Sequence, residues 1–302
     1  MQWREEYNIG VDVVDKAHRQ LFSIVRKMIE LTEGGEKDEY ACREGIRFFK
    51  SYTVRHFAEE EAHMRSIGYA GLERHRAIHE NLKRETLPAM ERQLEASGFS
   101  DEEVKRFIGI CLGWLTAHVT NEDQAIAGKA KVKLPRLKRG ETLLAMESII
   151  PQIMQNTFGL ESVLVNQNYA GWNRGPALFQ ELLYIAGDGK KTRVIIVLEE
   201  KFVLSTTGQM LGLRFAEVDE TVRSAVRAIS QTFVQRIDEV MAQGSQYRLV
   251  RELLLDEAEF EALWKDRSPQ CSLLFFTMQG HYAFFFDELK DAGDLEEPEE
   301  EA

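Results

Sequence analysis

The stretch His56-Phe57-Ala58-Glu59-Glu60-Glu61-Ala62-His63-Met64 decides how the first half of this 302-residue chain is read. A glutamate four residues after a histidine lies one helical turn further along the same face, so His56 and Glu60 can point at one bound ion. Working outward, the same spacing returns at His75 and His79, with His18 ahead of the series and His118 and Asp123 closing it. His118 and Asp123 are five apart, a rotation somewhat beyond one turn, which would set the carboxylate beside its histidine and let it reach a second ion. Five imidazoles and two carboxylates exceed the ligand supply of a single zinc, which takes about four. Two metals are the simpler reading. Imidazoles combined with carboxylates that bridge two ions at the centre of a helical bundle favour non-haem iron.

Those residues resemble a bacterial haemerythrin over residues 1–128. Trp3-x3-Tyr7-x2-Gly10-Val11 with Asp15-x2-His18-x2-Leu21 is similar to the family's amino-terminal arm and first helix. HFAEEEAHM from His56, ERHRAIH from Glu73 and WLTAHVTNED from Trp114 follow in the family's order. The resemblance implies an all-α, four-helix up-down bundle with His75, His79 and His118 on one iron and His18 and His56 on the other. Glu60 and Asp123 would bridge the two irons together with an oxo or hydroxo group. The two-histidine iron would keep a position open for dioxygen.

Neighbouring residues read differently. Glu59 and Glu61 are each rotated about 100° from Glu60 on a helix, toward solvent or a partner behind the ligands. His63 reads as an ordinary helix histidine. Phe57, Met64, Ile78, Trp114 and Leu115 recur beside the ligands at core-like spacing, and such an apolar lining would also keep water out.

Composition narrows the class. Cys42, Cys111 and Cys271 are odd in number and widely spaced, which suggests neither a disulfide framework nor a thiolate metal site. The opening MQWREEYNIG lacks the apolar core of a leader, and no run of about 18 uncharged apolar residues occurs, so a cytoplasmic protein without a membrane span is expected. A net charge of −12 argues against general nucleic-acid binding. Lys129 to Arg139 carries six basic residues and no acid around Pro135, and residues 129–140 read as a linker. The acidic end, residues 288–302, reads as a solvated tail.

Between linker and tail the texture changes. Residues 141–158 read as a helix that Pro151 should kink or interrupt. FQELLYIAG, the turn Asp188-Gly189 and TRVIIVLEE form a hairpin signal. Residues 201–211 and 221–241 look helical, the latter with Val222, Ala225, Val226, Ile229, Phe233, Ile237 and Val240 at three-to-four spacing. CSLLFFTM and HYAFFF around Gln279-Gly280 make a second hairpin. The order predicts an α+β domain with an antiparallel sheet over residues 141–287. It resembles the CheX-like chemotaxis phosphatase domain, whose active helix carries a Glu-x2-Asn pair. Laid on SAVRAISQTF, those positions become Ala228 and Gln231, so Gln231 alone remains as a weak catalytic candidate able to orient water. The missing acid argues against phosphatase activity.

The expectation is a di-iron oxygen or redox sensor coupled to a CheX-like signalling or dimerisation domain, with dioxygen, a response regulator and a second copy of the chain as partners. The alternatives are an oxygen carrier, store or reductase, and a response-regulator phosphatase governed by the di-iron domain.

Overall fold

The computed structural model describes residues 7–33, 39–128, 142–167, 169, 171–187, 189–211, 213–241, 247–264 and 269–289. The expected linker and acidic tail lie outside these, apart from residues 288 and 289 at the tail's start. The chain forms two compact units. The first joins residues 1–133 with 156–158 and 204–232; the second comprises residues 134–155, 159–203 and 233–302.

The first unit is helical. Helix α1 spans Asp12–Glu33, α2 Glu39–Ser66, α3 Leu72–Asn81, α4 Leu87–Ala96 and α5 Asp101–Ala117. In α1, Val14, Ala17, Leu21, Val25 and Met28 recur every three or four residues and are all buried, which is the stripe a bundle helix needs. A π-helical turn, Leu82–Thr86, joins α3 to α4, and there the Leu87 N–H reaches back to the Leu82 carbonyl. Pro88 follows at once. Its missing N–H and bulky ring disfavour a regular α-turn, and the wider turn relieves that conflict. Ser100 caps α5 by accepting the Glu103 N–H at 3.3 Å. A second π-helical turn, His118–Asp123, and the short α6, Gln124–Ile126, complete the four-helix pattern.

Helix α9, Glu220–Met241, contributes its residues up to Thr232 to this first unit. It meets α5 at two glycines. A Cβ on Gly109 would lie 2.3 Å from the Thr221 carbonyl oxygen, and one on Gly113 2.5 Å from that of Ala225. The two backbones therefore approach closely, with only the small Ser224 and Ala228 side chains of α9 beside the glycines. Arg106 Nε stands 3.3 Å from Glu220 Oε1, and Lys105 Nζ stands 3.2 Å from Asp219 Oδ2, flanking the contact with ion pairs.

In the second unit, helix α7 spans Thr142–Phe158 and α8 Glu200–Leu211, each continuing beyond the unit's bounds, and α10 spans Glu257–Trp264. The strands are β1 Val163–Asn166, β2 Ala177–Ala186, β3 Lys191–Glu199, β4 Tyr247–Leu255, β5 Cys271–Thr277 and β6 Gly280–Leu289. They form one sheet in the order β1-β5-β6-β3-β2-β4 with every pairing antiparallel. On one face Phe179, Ile195, Val197, Leu274, Ala283 and Phe285 pack with Tyr169, Trp172 and Phe260. Glu181 is also buried and joins strands by charge, with Arg193 Nε at 2.7 Å and Arg251 Nη2 at 3.0 Å.

Both expected hairpins are present, as β2–β3 and β5–β6, so the helix-plus-antiparallel-sheet class is observed. Two details differ from the sequence reading. Pro151 lies inside α7 without ending it; Ile149, Ile150, Ile153 and Met154 are all buried around it, and their burial outweighs a local cost of about 3 kcal/mol. Strands β1 and β4 and helix α10 were absent from the reading because β1 has four residues and β4, YRLVRELLL, mixes charge with leucine.

Candidate metal centre

The seven proposed ligand residues converge from four helical segments. His18 comes from α1, His56 and Glu60 from α2, His75 and His79 from α3, and His118 and Asp123 from the second π-helical turn. Each is at most 3% exposed. The π-turn corrects a misfit in the spacing. In a regular α-helix Asp123 would sit about 140° around the axis from His118. The wider turn takes up the excess, bringing Asp123 Oδ1 to 3.1 Å from His118 Nε2.

Two overlapping ligand groups result. One donor atom each from Glu60, His75, His79 and His118 lie within 4.8 Å of one another, and the same holds for His18, His56 and Glu60. Glu60 belongs to both. Its Oε2 is 3.3 Å from His75 Nε2 and from His79 Nε2, whereas its Oε1 is 4.0 Å from His18 Nε2. Asp123 divides likewise, with Oδ2 at 3.1 Å from His18 Nε2 and Oδ1 at 3.4 Å from His75 Nε2.

Of these contacts the one between His75 Nε2 and Glu60 Oε2 is a hydrogen bond, while several other polar atoms are close but unsatisfied. His18 Nε2, Glu60 Oε1 and both Asp123 oxygens make no hydrogen bond among the described residues despite full burial. His79 Nε2 and His118 Nε2 face each other at 3.0 Å. Lone pairs gathered this way suit a cation at their focus.

The charge balance points the same way. Burial and the Asp123 charge push Glu60 upward, yet contacts with His75 and His79 outweigh them and its pKa is lowered. Burial also pushes Asp123 upward, and His118 and His18 pull it well below the usual carboxylate range. Burial, with His18 nearby, holds His56 neutral by lowering its pKa to about 3. Burial works against His18 and His75 too, but the facing carboxylates overcome it and both are raised. Two buried, ionised carboxylates among imidazoles carry a desolvation cost of several kcal/mol that a multivalent cation would offset. The donor set fits a metal.

Aromatic rings wall the site. Phe57 stacks on His79 at 3.7 Å between centroids, and Trp114 on His118 at 4.3 Å. Met64 and Leu115 are buried as read, while Ile78 and Trp114 are half-buried. Asp15 accepts the Ile9 and Gly10 N–H groups at 2.6 and 3.0 Å and ties the arm to α1.

Residues 9–130 match the hemerythrin HHE cation binding domain. The chain is 27% identical to bacteriohemerythrin of Clostridium acetobutylicum over 124 residues, 40% of this chain and 95% of that protein. It is 26% identical to bacteriohemerythrin of Pseudomonas aeruginosa strain LESB58, over 46% of this chain and 88% of the relative. Myohemerythrin of Theromyzon tessulatum is 27% identical over 42% of this chain and 92% of its own length. Among solved structures, chemotaxis protein CheX from Vibrio vulnificus matches with a TM-score of 0.39 and 12% identity, covering 51% of this chain and 99% of that one. A CheX–CheY–BeF3–Mg complex from Borrelia burgdorferi matches with a TM-score of 0.35 and 10% identity, over 51% and 100%.

The segment matched by the hemerythrin family model holds two pairings that sequence reading missed. His79 Nδ1 lies 3.1 Å from Glu61 Oε1, and Arg74 forms a two-pronged pair with Glu122 at 3.1 and 3.2 Å. The first joins a proposed ligand to the neighbour of Glu60, the second joins the neighbours of His75 and Asp123, each across different helical segments, which periodicity along one helix cannot reveal. His63 lies outside both ligand groups. Gln231, the catalytic candidate, is on α9 and half-buried, and it also belongs to neither group.

Proposed function

We propose that this protein holds two iron ions at the hemerythrin centre and acts as an oxygen or redox sensor. The observation that carries this reading is Glu60, shared between two ligand groups, with the two Asp123 oxygens turned one to each. In this reading His75, His79 and His118 would hold one ion and His18 and His56 the other, with Glu60 and Asp123 shared between the two and an oxo or hydroxo group completing the pair. Bound non-haem iron would supply one-electron redox chemistry and an affinity for dioxygen. The chain contributes the remainder. The imidazole nitrogens would present lone pairs to bound metal, two carboxylates would offset cationic charge, and the Phe57 and Trp114 rings exclude water from the histidines they cover. The sheet unit would serve signalling, toward a response regulator or a second copy of this chain, in the cytoplasm. Ala228 offers no acid, so signalling without phosphatase chemistry is the reading adopted. No helix among the described residues is long and apolar enough to cross a membrane.

Iron content and the visible spectrum test this, taken anaerobically reduced and again after air. Two irons per chain and an oxygen-dependent charge-transfer band are expected. A band that decays irreversibly favours redox sensing or oxygen consumption, whereas one that vanishes on oxygen removal favours a carrier. His118→Ala should lower bound iron sharply. Absence of iron from the wild type, or two irons in that variant, refutes the assignment.

A further inference from the structure

Resting on the metal reading above, we propose that Glu61 is a positioning residue for one half of the centre. It fixes the His79 imidazole and adds negative charge behind the three-histidine ion alone.

The argument starts from the two nitrogens of His79. Nε2 faces inward, 3.3 Å from Glu60 Oε2 and 3.0 Å from His118 Nε2. Nδ1 faces outward, 3.1 Å from Glu61 Oε1. An ionised carboxylate only accepts, so the proton of a neutral His79 sits on Nδ1 and the lone pair on Nε2 is directed into the ligand group. Glu61 is itself held, because Arg76 Nε stands 3.3 Å from its other oxygen, Oε2. Phe57 lies flat against the same ring, 5° from parallel, so face and edge are both constrained. The adjacent positions explain the division of labour on α2: Glu60 points inward, and Glu61, about 100° further round, reaches the back of α3.

The arrangement is one-sided. The Nδ1 atoms of His18, His56 and His118 are buried and make no hydrogen bond among the described residues. A carboxylate behind a ligating imidazole fixes its tautomer and raises its basicity, and losing such a partner typically weakens metal binding about 10–100-fold. Here that support reaches only the ion held by His75, His79 and His118. Glu61 therefore makes the two ions unequal, with the three-histidine ion bound more tightly and its higher oxidation state favoured.

Full-length Glu61→Ala and Glu61→Gln, with Glu59→Gln as the control on the other flank, separate orientation from charge. Ferrous iron retained against a graded chelator, the midpoint potential of the bound pair, and the 15N signals of His79 in metal-free protein are read for each. In wild type the metal-free spectrum should show His79 protonated on Nδ1. Glu61→Ala should lose that tautomer preference, release one iron equivalent about 10–100-fold more readily, leave the other unchanged and raise the potential. Glu61→Gln retains an acceptor oxygen, so it should keep the tautomer and much of the affinity while raising the potential as alanine does. Wild-type release in both Glu61 variants, or equal loosening of both irons, overturns the proposal. If wild type binds fewer than two irons the metal reading fails, and the His79 tautomer still decides whether Glu61 orients the ring.

Discussion

Replacing Gly109 by alanine should destabilise the first unit, although alanine is the better helix former. A Cβ built there lies 2.3 Å from the Thr221 carbonyl oxygen, 2.7 Å from Ser224 Cβ and 3.0 Å from the Ala225 nitrogen. Two of these three are backbone atoms of a helix, so no side chain can swing aside, and α5 and α9 must separate by about 1 Å to restore ordinary contact. Such overpacking costs about 1–3 kcal/mol. Against this, alanine gains about 1 kcal/mol over glycine in a helix interior. Gly45 in α2 provides the comparison. Its Cβ would meet the flexible Met28 side chain at 3.2 Å, so Gly45→Ala collects the propensity gain with little to oppose it. Because the propensity term is common to both, the difference between the variants isolates the packing term, about 1–3 kcal/mol in favour of Gly45→Ala. Urea unfolding followed by far-UV circular dichroism, with metal saturation matched, measures it. Gly113→Ala should act in the same direction, and the double variant should cost less than the sum because one separation relieves both clashes. If Gly109→Ala is as stable as Gly45→Ala, α9 does not pack on α5 in solution and the close-approach argument fails.

Two predictions concern the second unit. Glu199 Oε2 accepts the His281 backbone N–H at 2.7 Å and meets His281 Nδ1 at 2.8 Å. Burial pushes the Glu199 carboxyl upward, but the His281 contacts outweigh it and the pKa is lowered. A depressed folded pKa contributes stability above the unfolded carboxylate value, about 4.3, and loses it as pH falls. The stability gap between wild type and Glu199→Gln should therefore be widest near neutrality and narrow below about pH 4; an unchanged gap across that range contradicts the reading. Glu181→Ala would leave Arg193 and Arg251 without their shared carboxylate, at a cost of about 3–5 kcal/mol in urea unfolding. A loss under about 1 kcal/mol would show that the trio is hydrated rather than a buried network.

What could be read before the structure depended on how locally each feature is encoded. His56 with Glu60, and His75 with His79, were legible because one helical turn brings them together whatever surrounds them. Asp123 was expected beside His118, but the π-turn that puts it there is not something the α-helical period supplies. Glu61 and Glu122 were opaque because their partners, His79 and Arg74, sit on other helical segments. The two hairpins announced themselves through turn residues between apolar runs, and Gly189 does take a left-handed φ of 83°. Strand β1 carried no such signal, and β4 borders the sheet, where alternation weakens. Gly109 and Gly113 carry no comparable signal in the sequence, since their role depends on α9, more than 100 residues further along the chain, meeting α5 there.

That contact bears on how a metal centre could report its state. Sensing requires the two states to differ in free energy of contact somewhere beyond the ligands. A ligand set spread over four helices lets a change in metal occupancy or charge alter the demands on each helix separately. Among them α5 is singular, for it runs directly into the turn bearing His118 and Asp123, and Trp114 stacks on His118. Gly113 stands five residues before His118, about 7.5 Å along the axis, and Gly109 one turn earlier. A shift of α5 that accommodates His118 must also be accommodated at these glycines, where the helices touch through backbone and a slide of a few tenths of an ångström changes several contacts together. Close packing through backbone and the short Ser224 and Ala228 side chains is a stiff connection, since no long side chain is there to absorb the motion. An alanine at Gly109 that left iron content intact but uncoupled α9 from the metal state would locate the transmission in this seam. Metal-dependent exchange protection along α9 that survived the substitution would place it elsewhere.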